Sequence, residues 1–162
     1  MQKIVTSLWF EDQAEDAAKF YTSVFKNSKI TQIERFTDEA AQATGEPAGA
    51  VMMVEFELNG QRFMALNGSP QIKFTEATSL LVNCDSQAEV DDLWAKLTAD
   101  GGQESQCGWL KDKYGLSWQI VPTEVMAMLR DKDAKRSARM FAAVMTMRKL
   151  DLAALRRAYD GK

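Results

Sequence analysis

Ser7 to Phe20 reads S-L-W-F-E-D-Q-A-E-D-A-A-K-F, and Leu81 to Trp94 reads L-V-N-C-D-S-Q-A-E-V-D-D-L-W. In each stretch a short apolar run ends in an acidic turn. A Q-A-E triplet follows, and then the spacing of an amphipathic helix. Each copy later carries a Gly turn followed by an apolar run: N-G-Q-R-F-M-A-L (Asn59 to Leu66) and K-Y-G-L-S-W-Q-I-V (Lys113 to Val121). A repeat of this period means one supersecondary unit used twice, and it decides the fold.

Working outward, Lys3 to Phe10 is rich in Ile, Val, Leu, Trp and Phe and is expected to be a strand. Asp12 is expected to cap the following helix, with Glu15 completing a capping box. Ala14, Ala17, Ala18, Phe20, Tyr21, Val24 and Phe25 give that helix its apolar face, to about Lys26. Lys29 to Phe36 alternates imperfectly and predicts a strand. Thr37 to Gly49 collects Gly45, Pro47 and Gly49 among small and acidic residues and predicts a mobile loop. Ala50 to Leu58 and Gln61 to Asn67 form a hairpin about Asn59-Gly60.

The second copy predicts a strand over Thr78 to Cys84. A helix follows, capped by Asp85 or Ser86 and ended by Gly101-Gly102. A strand is expected near Gln106 to Leu110. A hairpin through Asp112 to Gly115 then leads into Leu116 to Val121. Thr123 to Leu129 predicts a further helix. Asp133 and Asp151 are expected to cap two more, the first presenting Met140, Phe141, Val144 and Met147 on one face.

The organisation is therefore α+β: a first βαβββ module over residues 1–70, a second over 71–122, and a helical tail over 123–162. Equivalent strands should put Phe63 and Trp118 at matching core sites.

The net charge of −3 and pI of about 5.1 lack the basic footprint of a nucleic-acid binder. No apolar run is long enough to span a bilayer, so no membrane partner is expected. Met1-Gln2-Lys3 runs straight into a strand-like pattern, which suggests no secretory leader. With only Cys84 and Cys107, a reduced, cytoplasmic protein is expected. The chain has no histidine. Neither cysteine belongs to a C-x-x-C pair, so a zinc cluster has no ligands. A nucleophilic Cys107 would need a base or positive neighbour, and it reads as structural.

The segments L-W-F-E-D-Q-A-E-D-A-A-K-F-Y, V-E-F-E-L-N-G-Q-R-F-M-A-L-N-G, L-V-N-C-D-S-Q-A-E-V-D-D-L-W-A-K-L and Q-C-G-W-L-K-D-K-Y-G-L-S-W-Q-I-V-P, with the tail M-R-K-L-D-L-A-A-L, carry a resemblance. The chain resembles the vicinal oxygen chelate superfamily of glyoxalase I, bleomycin-resistance proteins and extradiol dioxygenases. Within it, the chain resembles the branch called 3-demethylubiquinone-9 3-methyltransferase-like, or PhnB-like. The likeness covers nearly the whole chain.

That resemblance implies two modules around one cleft, commonly a homodimer, and a metal held by four side chains from four strands. The matched positions are Thr6, Glu55, Ser79 and Gln119. Only Glu55 among them is a good first-row metal ligand; Thr, Ser and Gln oxygens are neutral and weak. The expectation is no metal and no cofactor.

Strand alternation lists the cleft face as Thr6, Leu8 and Phe10; Met53, Glu55 and Glu57; Ser79, Leu81 and Asn83; and Ser117, Gln119 and Val121. Trp9, Val54, Phe56, Trp118 and Ile120 are left for the core. The candidate ligand pocket is Thr6, Leu8, Met53, Glu55, Ser79, Leu81 and Gln119. Glu55 is the best catalytic candidate, either a half-exposed strand carboxylate or a general base whose pKa burial among Met53, Leu8 and Leu81 would raise.

The reading is a metal-independent protein that binds a small organic ligand, with or without transforming it. One alternative is methyl transfer to a quinone-like hydroxyl. The nine glycines include no G-x-G arrangement for S-adenosylmethionine binding. Another is sequestration of a drug without turnover.

Overall fold

The computed structural model describes residues 3–162, so Met1 and Gln2, on which the leader reading rests, lie outside it. The chain divides into two compact units, one ending at Lys73 and one spanning Phe74–Lys162.

In the first unit β1 (Thr6–Phe10) leads to α1 (Ala14–Val24), β2 (Lys29–Arg35), α2 (Asp38–Thr44), β3 (Val51–Leu58) and β4 (Gln61–Asn67). The sheet order is β1-β4-β3-β2, with β1 parallel to β4 and the remaining pairs antiparallel. Asn59 and Gly60 both take positive φ, the twist a two-residue hairpin between right-twisted strands requires.

Two expectations fail here. The first concerns the cap of α1. Asp12 does not cap it; the Asn67 side chain, arriving from the end of β4, accepts the Ala14 N–H at 2.8 Å. An orphan helix donor is satisfied by whichever acceptor tertiary structure delivers. The second is the Thr37–Gly49 loop, which contains α2. Thr37 accepts the Ala40 N–H, and Gly45 closes the helix in the left-handed conformation. The alanine-rich D-E-A-A-Q-A-T outweighs the breakers, which fall outside it.

The second unit repeats the plan. Its elements are β5 (Ser79–Cys84), α3 (Gln87–Thr98), β6 (Gln103–Glu104), β7 (Trp109–Lys111) and β8 (Ser117–Pro122). The sheet order is β5-β8-β7-β6. Ser86 caps α3 by accepting the Glu89 N–H, while Glu89 reaches back to the Asp85 N–H.

The strand expected over Gln106–Leu110 is interrupted. Cys107 and Gly108 take positive φ, and their N–H groups bond Met147 O and Arg148 O, each at 2.7 Å, instead of a neighbouring strand. Position 108 favours glycine, because its φ is positive and an added Cβ would sit 3.0 Å from Ile120 O and 3.1 Å from a Leu150 methyl, so those neighbours would have to give way.

The tail folds as α4 (Thr123–Leu129), α5 (Ala134–Val144) and α6 (Leu152–Asp160), with Asp133 and Asp151 capping as expected. Val121, Val125, Met128, Met140, Val144, Leu150, Leu152 and Leu155 form its core. Gln87 stitches the tail to α3, donating to Leu150 O and accepting from the Leu152 N–H. The apolar face of α5 is therefore largely covered from within. Met140 and Val144 are buried, and of that set only Phe141 stands half exposed at 50%.

Candidate functional site

Register determines which side chains share a face, because paired residues on neighbouring strands point the same way. In the first sheet Tyr21 of α1 stacks on Phe56 at 6.2 Å, and Phe56 on Phe63 at 5.4 Å, so Phe56 and Phe63 mark the helix side. Thr6 pairs with Phe63, Leu8 with Ala65 and Phe10 with Asn67. Thr6, Leu8 and Phe10 therefore face the helix. They do not share a face with Glu55, as the sequence reading had it.

The open face of this sheet carries Ser7 and Trp9 from β1, Met64 and Leu66 from β4, and Met53, Glu55 and Glu57 from β3. Trp9, expected in the core, lies over Gly68. Its indole N–H donates to Ser69 O at 3.1 Å, and a Cβ on Gly68 would fall 2.2 Å from the ring. Met53 and Glu55 keep the face assigned to them. The Arg62 guanidinium holds one Glu55 oxygen at 2.8 Å.

The signal that corrects the error is in the sequence. Aligning Gln13 with Gln87 puts Ser7 opposite Leu81 and Thr6 opposite Leu80. Matching Thr6 with Ser79 slips that frame by one residue, and one residue exchanges the faces of a strand.

In the second sheet Ser79 pairs with Ser117, Leu81 with Gln119, and Gln119 with Trp109. Trp118, Ile120 and Leu110 are buried under α3, so the open face carries Ser79, Leu81, Ser117, Gln119, Trp109 and Lys111. Here the structure brings the expected residues together. Gln119 Nε2 donates to Ser79 Oγ at 2.9 Å, and Leu81 is 43% exposed beside them. Cys84 is on the opposite face from Ser79 and is buried, which pushes its thiol up to about 12.

Beneath this face Asp112 is a buried carboxylate. It accepts from Tyr114 N at 2.9 Å, Leu116 N at 3.1 Å and the Trp118 indole at 2.8 Å. It ties the β7–β8 turn to the central strand.

Two concavities lie elsewhere. One of about 230 Å³ is lined by Glu11, Asp12, Glu15, Asp16, Phe36 and Glu46, among others. The hydrogen bond from Lys19 holds the Glu15 carboxyl below the usual range, with Arg35 adding to it. The other, about 440 Å³, lies in the tail. There Arg156 clamps Glu124, and the Tyr159 hydroxyl donates to Asp131, which raises the phenol pKa and lowers that of the carboxyl. None of the expected pocket residues lines either concavity.

The metal that the superfamily resemblance implies does not fit these residues. Thr6 faces away from Glu55, Glu55 is engaged by Arg62, and Ser79 and Gln119 offer neutral oxygens bonded to one another. Among the described residues no group of three or more His, Cys, Asp or Glu is placed to hold an ion.

Comparison with known proteins bears on the whole arrangement. The family described as 3-demethylubiquinone-9 3-methyltransferase matches residues 2–121. The PhnB protein of Bacillus cereus, which carries the same family name, is 38% identical over 75% of this chain and 100% of its own, with a TM-score of 0.67. PA1353 of Pseudomonas aeruginosa is 21% identical over 75% of this chain and 98% of its own, at 0.60. The fosfomycin resistance protein FosX of Listeria monocytogenes, complexed with Mn(II) and sulfate, is 13% identical over 75% of this chain and 91% of its own, at 0.50. The last two show the fold alone. No match is found among curated proteins. The repeated module, its strand order and the family match over residues 2–121 agree: this chain belongs to the 3-demethylubiquinone-9 3-methyltransferase family.

Proposed function

We propose that the chain is a metal-independent, small-molecule-binding member of its superfamily. The observation that carries this is the open face of the second sheet. Ser79 and Gln119 stand there as a bonded polar pair, flanked by Leu81 and Trp109, where the metal-dependent pattern would need imidazole or carboxylate. An apolar surround with few polar groups is the usual composition of a small-ligand site. Glu55, in reach of Arg62, is the catalytic candidate if the ligand is turned over.

The test is native mass spectrometry of freshly purified protein incubated with metabolite extracts. A retained organic molecule and no metal adduct is the expected result. Retention of S-adenosylmethionine would instead favour the methyl transfer that the family is named for. The absence of both a retained ligand and any product would sink the proposal. A cytoplasmic homodimer belongs to the same reading, drawn from the superfamily's habits. A strictly monomeric mass at micromolar concentration counts against that part.

A further inference from the structure

α5 buries one face and offers another. Met140 and Val144 turn into the tail core, while Ala134, Ala138, Phe141 and Met145 recur at helical spacing on the solvent side. Phe141 is 50% exposed and Met145 57%. Aromatic and methionine side chains are what the cores of protein interfaces collect. The charge around this stripe is lopsided. Residues 123–162 hold ten Lys and Arg against five Asp and Glu, whereas residues 1–122 hold ten against eighteen. Lys135 sits in the first turn of α5, where the helix dipole disfavours a cation, and Lys132 lies just ahead of it. Arg136 is answered by Asp160, but Lys132 and Lys135 are exposed and form no ion pair among the described residues.

The first unit carries the opposite surface. Its concavity of about 230 Å³ has an apolar wall of Phe36, Ala50 and Val51 and a rim of carboxylates. Glu11 and Glu15 are answered by Lys73, Lys19 and Arg35. Asp12, Asp16 and Glu46 form no ion pair among the described residues.

We propose that this face of α5 docks into the acidic concavity of a second copy of the chain. Phe141 enters against Phe36 and Val51, Met145 extends the apolar contact, and Lys132 and Lys135 meet Asp12, Asp16 and Glu46 at the rim. The occupant is a second copy because the two surfaces answer each other: an apolar stripe flanked by cations, and an apolar-walled hollow edged by carboxylates. Pairing α5 with α5 would bring basic flanks together, and like charges across an interface select against it. One helix face is smaller than the roughly 1,200–2,000 Å² that a stable interface buries. The contact is therefore reciprocal, each copy giving both surfaces, and it closes as a two-fold dimer. α5 lies beyond the family match, which ends at residue 121. The proposal gives the homodimer expected above a surface, and it does not depend on the ligand reading.

Sedimentation velocity of the full-length protein at micromolar concentration should give a dimer. Phe141→Glu should weaken it by at least about 10-fold, with Tm held within about 2 °C because Phe141 is outside the tail core. Met145→Lys, on the same stripe, gives a second reading should Phe141→Glu not fold. Charge reversal identifies the partner surface. Lys132→Glu with Lys135→Glu, and Asp16→Lys with Glu46→Lys, should each be monomeric alone. Mixed, the two proteins should form a heterodimer, since reversed tail meets reversed rim in one contact and native meets native in the other.

A monomeric wild type overturns the proposal, as does a mixture of the two charge-reversed proteins that stays monomeric. A dimer that Phe141→Glu and Met145→Lys leave intact also overturns it, while keeping the homodimer expectation. Loss of the dimer in Phe141→Glu and its recovery in the charge-reversed mixture, with no metabolite retained by the wild type, uphold this contact and sink the ligand reading alone.

Discussion

Phe63 and Trp118 occupy the same place in the two modules. Phe63 lies between Thr6 on β1 and Phe56 on β3, and Trp118 lies between Leu80 on β5 and Leu110 on β7. Both are buried on the helix side of a central strand. The expectation that they match is met, and it ties the repeat in the sequence to one in packing.

Trp118→Ala should cost about 3–5 kcal/mol, as large-to-small aromatic core changes do. The cost includes stranding Asp112, whose Oδ2 takes the indole N–H. Urea denaturation measures it, and a loss below about 1 kcal/mol would contradict the packing described.

Cys84 makes the folded state sensitive to alkali. Its thiol titrates near 9.0 when exposed and is pushed up to about 12 by burial, with Glu89 and Asp85 adding to it. The folded pKa is the higher, so this contribution is full below about pH 9 and lost as pH rises toward 12. In that window the unfolded chain has released a proton that the native one retains. The wild type should lose up to about 1.4 kcal/mol per pH unit there relative to Cys84→Ala. Parallel stability curves for the two proteins would refute this.

Gly68→Ala should destabilise the first unit by about 1–3 kcal/mol, because the new methyl overlaps the Trp9 ring and must displace it. Displacement breaks the indole bond to Ser69 O. Trp9 fluorescence should shift toward the red, and an unchanged spectrum with unchanged stability would rule the contact out.

Metal should not be retained. Zinc, nickel, iron and manganese are expected to leave on dialysis, and chelators to leave Tm unchanged, since the matched positions offer Glu55 alone as a strong ligand. One equivalent surviving dialysis would reverse the reading.

Glu55→Gln should change stability by less than about 1 kcal/mol, as a half-exposed ion pair with Arg62 contributes little. Lost ligand binding or turnover in that variant then reports on chemistry and not on folding. A large loss of stability would make Glu55 structural.

Local patterns by themselves determined the repeated module, the Asn59-Gly60 hairpin, the capping of α3, α5 and α6, and the face shared by Ser79, Leu81 and Gln119. These depend on alternation, turn chemistry and near neighbours, which a short window contains. Tertiary structure decided the rest. Thr6 and Leu8 face the helix through the register in which β1 pairs with β4; the five-residue, largely apolar strand carries no alternation that sets it, and in the sequence only the alignment of the two repeats points to it. α1 takes its cap from Asn67, far along the chain, because an orphan N–H bonds the acceptor that folding delivers. The Cys107 and Gly108 N–H groups turn away from the sheet because they find carbonyls in the tail.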